Sequence, residues 1–195
     1  MPLDESRITL AILAGGEGSR MGKPKGMLAV CGRPILSYLL ERFQWKGPTL
    51  LVTAPGREHP PGWKEFDREV VDAVVGEGPL RGVLTALEGS ESELTLVTTV
   101  DMPEVGREQL IWLAEGIDGA AQGLLVRRLS SGRIEPFPSI FRADAAALIR
   151  LRLAEGQGSV QALGGCEAMT VPAEWAERIW TNLNRPEDFK KWLSR

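Results

Sequence analysis

The chain has 195 residues, 43% of them hydrophobic and 25% charged, which suits one soluble domain that buries its own core without staples. Its 23 basic and 26 acidic residues leave a formal net charge of −3, against the strongly basic footprint of a nucleic-acid binder. Two cysteines, Cys31 and Cys166, lie far apart with no metal-ligand spacing and read as free thiols of a reducing compartment. No run reaches the roughly 18 apolar residues of a membrane span. The acidic start MPLDESR is no signal peptide, so the expected location is the cytoplasm.

Residues 8–13 are almost continuously apolar, as in a strand buried on both faces of a parallel sheet. The stretch LAGGEGSRMGKPKGML, residues 13–28, follows. It sets Gly15, Gly16 and Gly18 against Arg20, Lys23 and Lys25, with no acid between Gly18 and Pro34. Small residues let backbone N–H groups approach phosphate oxygens, and the cations offset their charge. Leu36, Leu39, Leu40 and Phe43 then form one helical stripe, which Gly47-Pro48 stops.

A second strand is expected over residues 49–53, a loop over 54–62 and a short helix over 63–68. A third strand over 69–75 carries Asp72, and the turn GEGPLRG leads into a helix with Pro79 in its first turn. A fourth strand over 94–100 ends at Asp101-Met102-Pro103, and residues 107–115 read as a helix. Strands alternating with helices predict a mainly parallel sheet covered on both faces.

The second half is less regular. Strands over 122–129 and 133–141 flank a Ser130-Ser131-Gly132 hairpin turn. Helices are expected over 143–153 and 159–163, short strands over 169–171 and 178–180, and a closing helix over 186–193. No repeat or linker divides the chain, so residues 1–195 read as a single domain.

The glycine loop fits neither common phosphate motif. Five residues rather than four separate Gly16 from Gly22, and Lys23 precedes Pro24 rather than a hydroxyl residue, so the Walker pattern fails. Met21 stands where a dinucleotide fingerprint needs its third glycine. Pro24 biases Lys23 away from helical geometry, so the loop wraps its ligand as extended chain and presents Lys25 as a separate cation.

Asp101 ends a strand at the sheet edge where open α/β proteins bind ligands, and one carboxylate there suits Mg²⁺ on a triphosphate; a turn cap before Pro103 is the alternative. Asp72 accepts from a ligand or caps a turn, and Gly78-Pro79-Leu80 either approaches the same edge or forms a plain βα turn. Asn182 and Asn184 share a face if extended. Asn184 serves equally as a ligand contact or as a cap paired with Glu187. His59, the only histidine, sits in a proline-rich loop and is not expected to be catalytic.

The motifs LAGGEGSRMGKPKGML, GPLRG, VDMP, EPFPSIF and TNLNRPEDF occur in the order seen in molybdenum cofactor guanylyltransferases, and the chain resembles that family over nearly its full length. The resemblance implies a Rossmann-like nucleotidyltransferase fold with three α/β/α layers. It implies transfer of GMP from GTP to Mo-molybdopterin, with Mg²⁺ as cofactor and pyrophosphate as co-product.

By the same resemblance, Leu13, Ala14, Gly15, Gly16, Thr53, Asp72, Gly78, Pro79 and Leu80 would line the nucleotide. Arg20 and Lys25 would hold phosphates, Asp101 would bind nucleotide and metal, and Asn182 and Asn184 would lie on the pterin side. Thr53 stands where members often carry asparagine. The family also implies transient contacts with proteins that deliver or accept the cofactor, and no membrane or nucleic-acid partner. Two rivals remain. One is an enzyme of the same fold using CTP or activating a sugar phosphate. The other is a non-catalytic nucleotide-binding module, which the intact Arg20, Lys25 and Asp101 disfavour.

Overall fold

The computed structural model describes residues 3–16, 21–22, 24–56, 58–74, 76–119, 121–164 and 168–194. Its central element is β1 (Ile8–Leu13), whose Leu10, Ala11 and Ile12 are wholly buried. Full burial of each such leucine or isoleucine stabilises the fold by ~1.5–3 kcal/mol. That is why a continuous apolar run, rather than an alternating one, marks this strand.

After β1 come a two-residue hairpin, β2 (Ala29–Val30) with β3 (Arg33–Pro34), and helix α1 (Ile35–Phe43). Then follow β4 (Thr49–Thr53), β5 (Arg68–Val71), α2 (Pro79–Gly89), β6 (Leu94–Thr99) and α3 (Arg107–Gly116). The second half holds β7 (Gly123–Arg128), β8 (Ile134–Arg142), α4 (Ala145–Ala154), β9 (Ala168–Ala173) and α5 (Pro186–Leu193). Among the described residues no helix is long and apolar enough to cross a membrane.

Seven strands form one sheet in the order β5-β4-β1-β6-β8-β7-β9. Strands β5, β4, β1 and β6 pair in parallel, β8 is antiparallel to both β6 and β7, and β7 is parallel to β9. Only β8 therefore runs against the rest. The tight turn that joins β7 to β8 reverses the chain, with the Gly132 N–H donating to the Arg128 carbonyl and Gly132 at φ 69°.

Right-handed crossovers place α1 and α2 on opposite faces, because the chain leaves β1 toward β4 but returns from β5 past β1 to β6. Helix α1 packs with α3 and α2 with α4, so the fold is an α/β/α sandwich. The strand order reverses at β1, going outward to β4 and β5 and then back to β6 on the other side, which leaves a crevice at the carboxyl ends of β1 and β6, where open α/β sheets bind ligands.

Several boundaries differ from the sequence reading. Helix α1 stops before Gly47-Pro48, because Gln44 adopts a left-handed conformation and its N–H returns to the Leu40 carbonyl. The expected helix over 63–68 is a 3₁₀ turn, Trp63–Glu65, and Arg68 already belongs to β5. Strand β5 ends at Val71, so Asp72 follows the strand instead of lying within it. The expected helix over 159–163 is a 3₁₀ turn, Val160–Leu163. Residues 178–180 are no strand: Glu177–Trp180 is a 3₁₀ turn that buries Ile179 and Trp180. A short apolar run satisfies either assignment until packing chooses.

Candidate active site

The loops leaving β1, β4, β5 and β6 surround a cleft of about 500 Å³. Leu13, Gly15 and Gly16 form its floor from the β1 side, and Thr53 and Ala54 close it from β4. Gly78, Pro79 and Arg81 bring the start of α2 to the rim, and Phe137 reaches in from β8. Gly78 has φ +80°, and a Cβ there would lie 2.9 Å from the Gly158 carbonyl oxygen, so the turn into α2 admits little but glycine. Pro79 at the helix start needs no N–H partner, while the Leu80 N–H donates to Gly158.

At the mouth of the cleft, Asp101 gathers three segments of the chain. Lys25 Nζ lies 2.5 Å from Asp101 Oδ2 and 2.7 Å from Asn184 Oδ1. Thr99 Oγ1 donates to Asp101 Oδ1 at 2.5 Å. With its amide nitrogen turned to the carboxylate, Asn182 donates to Oδ1 at 3.3 Å and to Oδ2 at 2.8 Å. The Leu183 N–H donates to the Asp101 carbonyl at 2.9 Å, which fastens the C-terminal segment across the end of β6. The side chains of Lys25 and Asp101 are only 15% and 16% exposed. Removing one partner of a pair this sheltered leaves the other charge uncompensated.

Asn184 does not cap α5 with its side chain. Asp188 Oδ2 accepts from the backbone N–H groups of Asn184 and Arg185, so the start of α5 is held by Asp188 and not through a pairing with Glu187. The Asn184 side chain is thereby left for Lys25. Asp72 likewise lies in the cleft wall, accepting on Oδ1 from Arg81 Nε at 3.2 Å, Thr85 Oγ1 at 3.0 Å and the Val74 N–H at 3.4 Å.

Other residues expected at the site fall differently. Leu80 is fully buried in the core and does not line the cleft; only its neighbours Gly78 and Pro79 do. Ala14 lines an adjacent hollow of about 320 Å³, beyond Thr53, while its N–H donates to the Val52 carbonyl. The Thr53 hydroxyl donates to Glu69 Oε1, and Glu69 Oε2 lies 2.7 Å from Nδ1 of His59, which stacks on Trp63. Arg20 and Lys23 lie outside the described residues, as does Cys166.

Sequence reasoning missed Arg81, Thr99 and Phe137. Arg81 stood in plain view inside GPLRG, as the third residue of α2. Thr99 was hidden in an apolar strand, and Phe137 in a stretch valued only as a family marker.

A divalent ion has a limited but suitable donor set here. Among the described residues no three His, Cys, Asp or Glu side chains cluster. Asp101 is the carboxylate beside Lys25, with the Asn184 carbonyl oxygen next to it. Mg²⁺ is commonly held by one or two carboxylates plus substrate phosphates and water, so these residues fit it once Lys25 turns to another anion.

Residues 10–169 match the MobA-like NTP transferase domain. A protein of Opitutus terrae named probable molybdenum cofactor guanylyltransferase is 31% identical over 198 residues, covering 96% of each chain. One of the same name from Thermococcus kodakarensis is 29% identical over 188 residues, covering 93% of this chain and 92% of its own. Among solved structures, molybdopterin-guanine dinucleotide biosynthesis protein A from Archaeoglobus fulgidus superposes with a TM-score of 0.76 at 23% identity. It covers 95% of this chain and 97% of that one.

Proposed function

The chain belongs to the family of MobA-like NTP transferase domains and is a nucleotidyltransferase; from that premise we propose that it transfers GMP from GTP to the phosphate of Mo-molybdopterin, releasing pyrophosphate. The observation that carries this reading is the Lys25–Asp101 pair, with Asn182 and Asn184 beside it, at the mouth of a cleft floored by glycines. Relatives bearing the guanylyltransferase name match over nearly the whole chain, which supports GTP and a molybdopterin as the two substrates.

In this reading the triphosphate lies over Gly15 and Gly16, with its nucleoside toward Asp72 and the start of α2. Lys25 exchanges the Asp101 carboxylate for phosphate oxygens and draws the triphosphate to the end of β6. An oxygen of the acceptor's phosphate monoester attacks the α-phosphorus. The new P–O bond forms as the bond to the β-phosphate oxygen breaks, and pyrophosphate leaves with that electron pair.

The attacking oxygen is already anionic, so no general base is required, and no histidine stands at the Asp101 cluster. Alignment and charge neutralisation supply the rate. Asn182 and Asn184 orient the acceptor from the C-terminal side. Asp101, with substrate oxygens and water, would hold Mg²⁺, which when bound supplies charge neutralisation at the triphosphate. Arg20 joins Lys25 as a phosphate-binding cation. Turnover measured with each of the four triphosphates tests the assignment: GTP should be preferred, and preference for CTP, UTP or ATP would overturn it.

A further inference from the structure

Arg81 and Asp72 form a fixed pair in the wall of the cleft on the β4–β5 side, away from Lys25 and Asp101. The two side chains are only 19% and 15% exposed. All three donors that reach Asp72 (Arg81 Nε, Thr85 Oγ1 and the Val74 N–H) fall on Oδ1, and among the described residues none falls on Oδ2. On the arginine, Nε is taken by Asp72 and Nη1 lies 3.6 Å from Glu77 Oε2, while no described residue accepts from Nη2. The pair therefore offers a ligand an acceptor, Asp72 Oδ2, beside guanidinium donors of Arg81 that hydrogen-bond to no described residue, those of Nη2 among them.

Beside the pair, the polar side chains on this side of the cleft are Glu77, which faces Arg81 Nη1, and Thr53, whose hydroxyl donates to Glu69; the rest of the wall is apolar. Leu13, Val52, Gly76, Gly78, Pro79 and Gly82 present only apolar or backbone surface. Gly82 lets the first turn of α2 lie close to the end of β1, since a Cβ there would stand 3.1 Å from Leu13 Cδ1. A flat ring lying over Leu13 and that turn would meet the Arg81–Asp72 edge.

We propose that Arg81 is a specificity-determining residue for the nucleobase: its guanidinium donates to a base carbonyl oxygen while holding Asp72 Oδ2 to accept from the adjacent ring N–H. This rests on the reading of the cleft as a GTP site. Guanine carries the acceptor O6 next to the N1–H donor, with a second donor in its amino group. Adenine and cytosine reverse the order, setting an amino donor beside an unprotonated ring nitrogen. A fixed donor–acceptor pair favours the first arrangement over the second. The planar fork, rather than positive charge alone, provides the donor geometry, so lysine is not an equivalent residue.

The test is equilibrium binding of GTP, ATP and CTP to the wild-type chain and to Arg81→Ala and Arg81→Lys, with thermal melting as a check on folding. Wild type should bind GTP best. Both variants should bind GTP at least about tenfold more weakly, and their preference for GTP over ATP should shrink by a similar factor. If Arg81→Ala is unfolded at the assay temperature, Arg81→Lys carries the same comparison. Wild-type GTP preference that survives unchanged in a folded variant overturns the proposal alone and leaves the guanylyl reading standing. Wild-type preference for ATP or CTP overturns the guanylyl reading, and the assignment of Arg81 with it.

Discussion

Lys25 Nζ sits 2.5 Å from Asp101 Oδ2, joining a cation from the loop after β1 to a carboxylate at the end of β6 across 76 residues of sequence. The same nitrogen reaches Asn184 at 2.7 Å, so one ammonium links both ends of the chain at the mouth of the cleft. A cation in this place neutralises the carboxylate that a divalent ion would otherwise use.

Replacing Lys25 by methionine should therefore have two separable effects. Turnover should fall by roughly a hundredfold or more, the loss typical of one electrostatic donor at a reacting centre. Binding of Mn²⁺ as a probe in the absence of nucleotide should become tighter, because the competing ammonium is gone. Paramagnetic titration reads the second effect without any turnover. Unchanged Mn²⁺ affinity would show that Lys25 does not screen Asp101.

Asn184→Ala should lower turnover by about tenfold while leaving the melting temperature near that of the wild type, since Asp188 and not the Asn184 side chain holds the start of α5. Asp188→Ala should do the reverse on stability and lose about 1 kcal/mol, the usual cost of removing a helix cap. Parallel melts and rates on the two variants separate the roles. A larger stability loss in the asparagine variant would return Asn184 to the status of a cap.

Gly78→Ala should destabilise the fold by ~1–3 kcal/mol, combining the left-handed penalty with a clash against Gly158. Because the same turn carries the rim of the cleft, the Michaelis constant for the triphosphate should rise as well. Denaturant titration and steady-state kinetics measure the two effects. A variant as stable as wild type would mean that the α2 turn adapts without strain.

Glu5 gives a pH-dependent signature remote from the site. The Arg107 guanidinium hydrogen-bonded to it holds its carboxyl below the ordinary 4.5, against the opposing effect of burial and with help from the Lys46 N–H. A carboxyl with a lowered folded-state pKa contributes stability that is complete above its unfolded value and fades as pH falls through the folded value. Glu5→Gln should thus cost ~1–2 kcal/mol at pH 7, and its difference from wild type should begin to shrink as pH falls to about 4.5 and vanish only below the lowered folded-state value. Melting curves across that range check it. A pH-independent difference would assign the loss to packing.

Much of the frame was legible from apolar runs and punctuation. Ile8 to Leu13 and the stripe Leu36, Leu39, Phe43 announce themselves because burial on two faces or one leaves a periodic trace. Asp101 was legible because a carboxylate directly after a buried strand has few places to go. Arg81 was not, although its motif was: its meaning depends on Asp72, nine residues away and brought beside it only when β5 and α2 dock. The antiparallel course of β8, which puts Phe137 into the cleft, was beyond reach for the same reason. A hairpin turn shows that two strands reverse, but not which sheet edge they join. Trp180 and Ile179 misled because three apolar residues serve a strand or a 3₁₀ turn equally well.

The central claim is attack at the α-phosphorus of GTP by the acceptor's phosphate. Incubating the enzyme with Mo-molybdopterin and GTP labelled at either the α- or the γ-phosphate tests it most directly. The α-label should appear in a dinucleotide product and the γ-label in pyrophosphate, in equal amounts. Transfer of the γ-label to the acceptor, or release of the α-label as free GMP with no dinucleotide formed, would contradict the account.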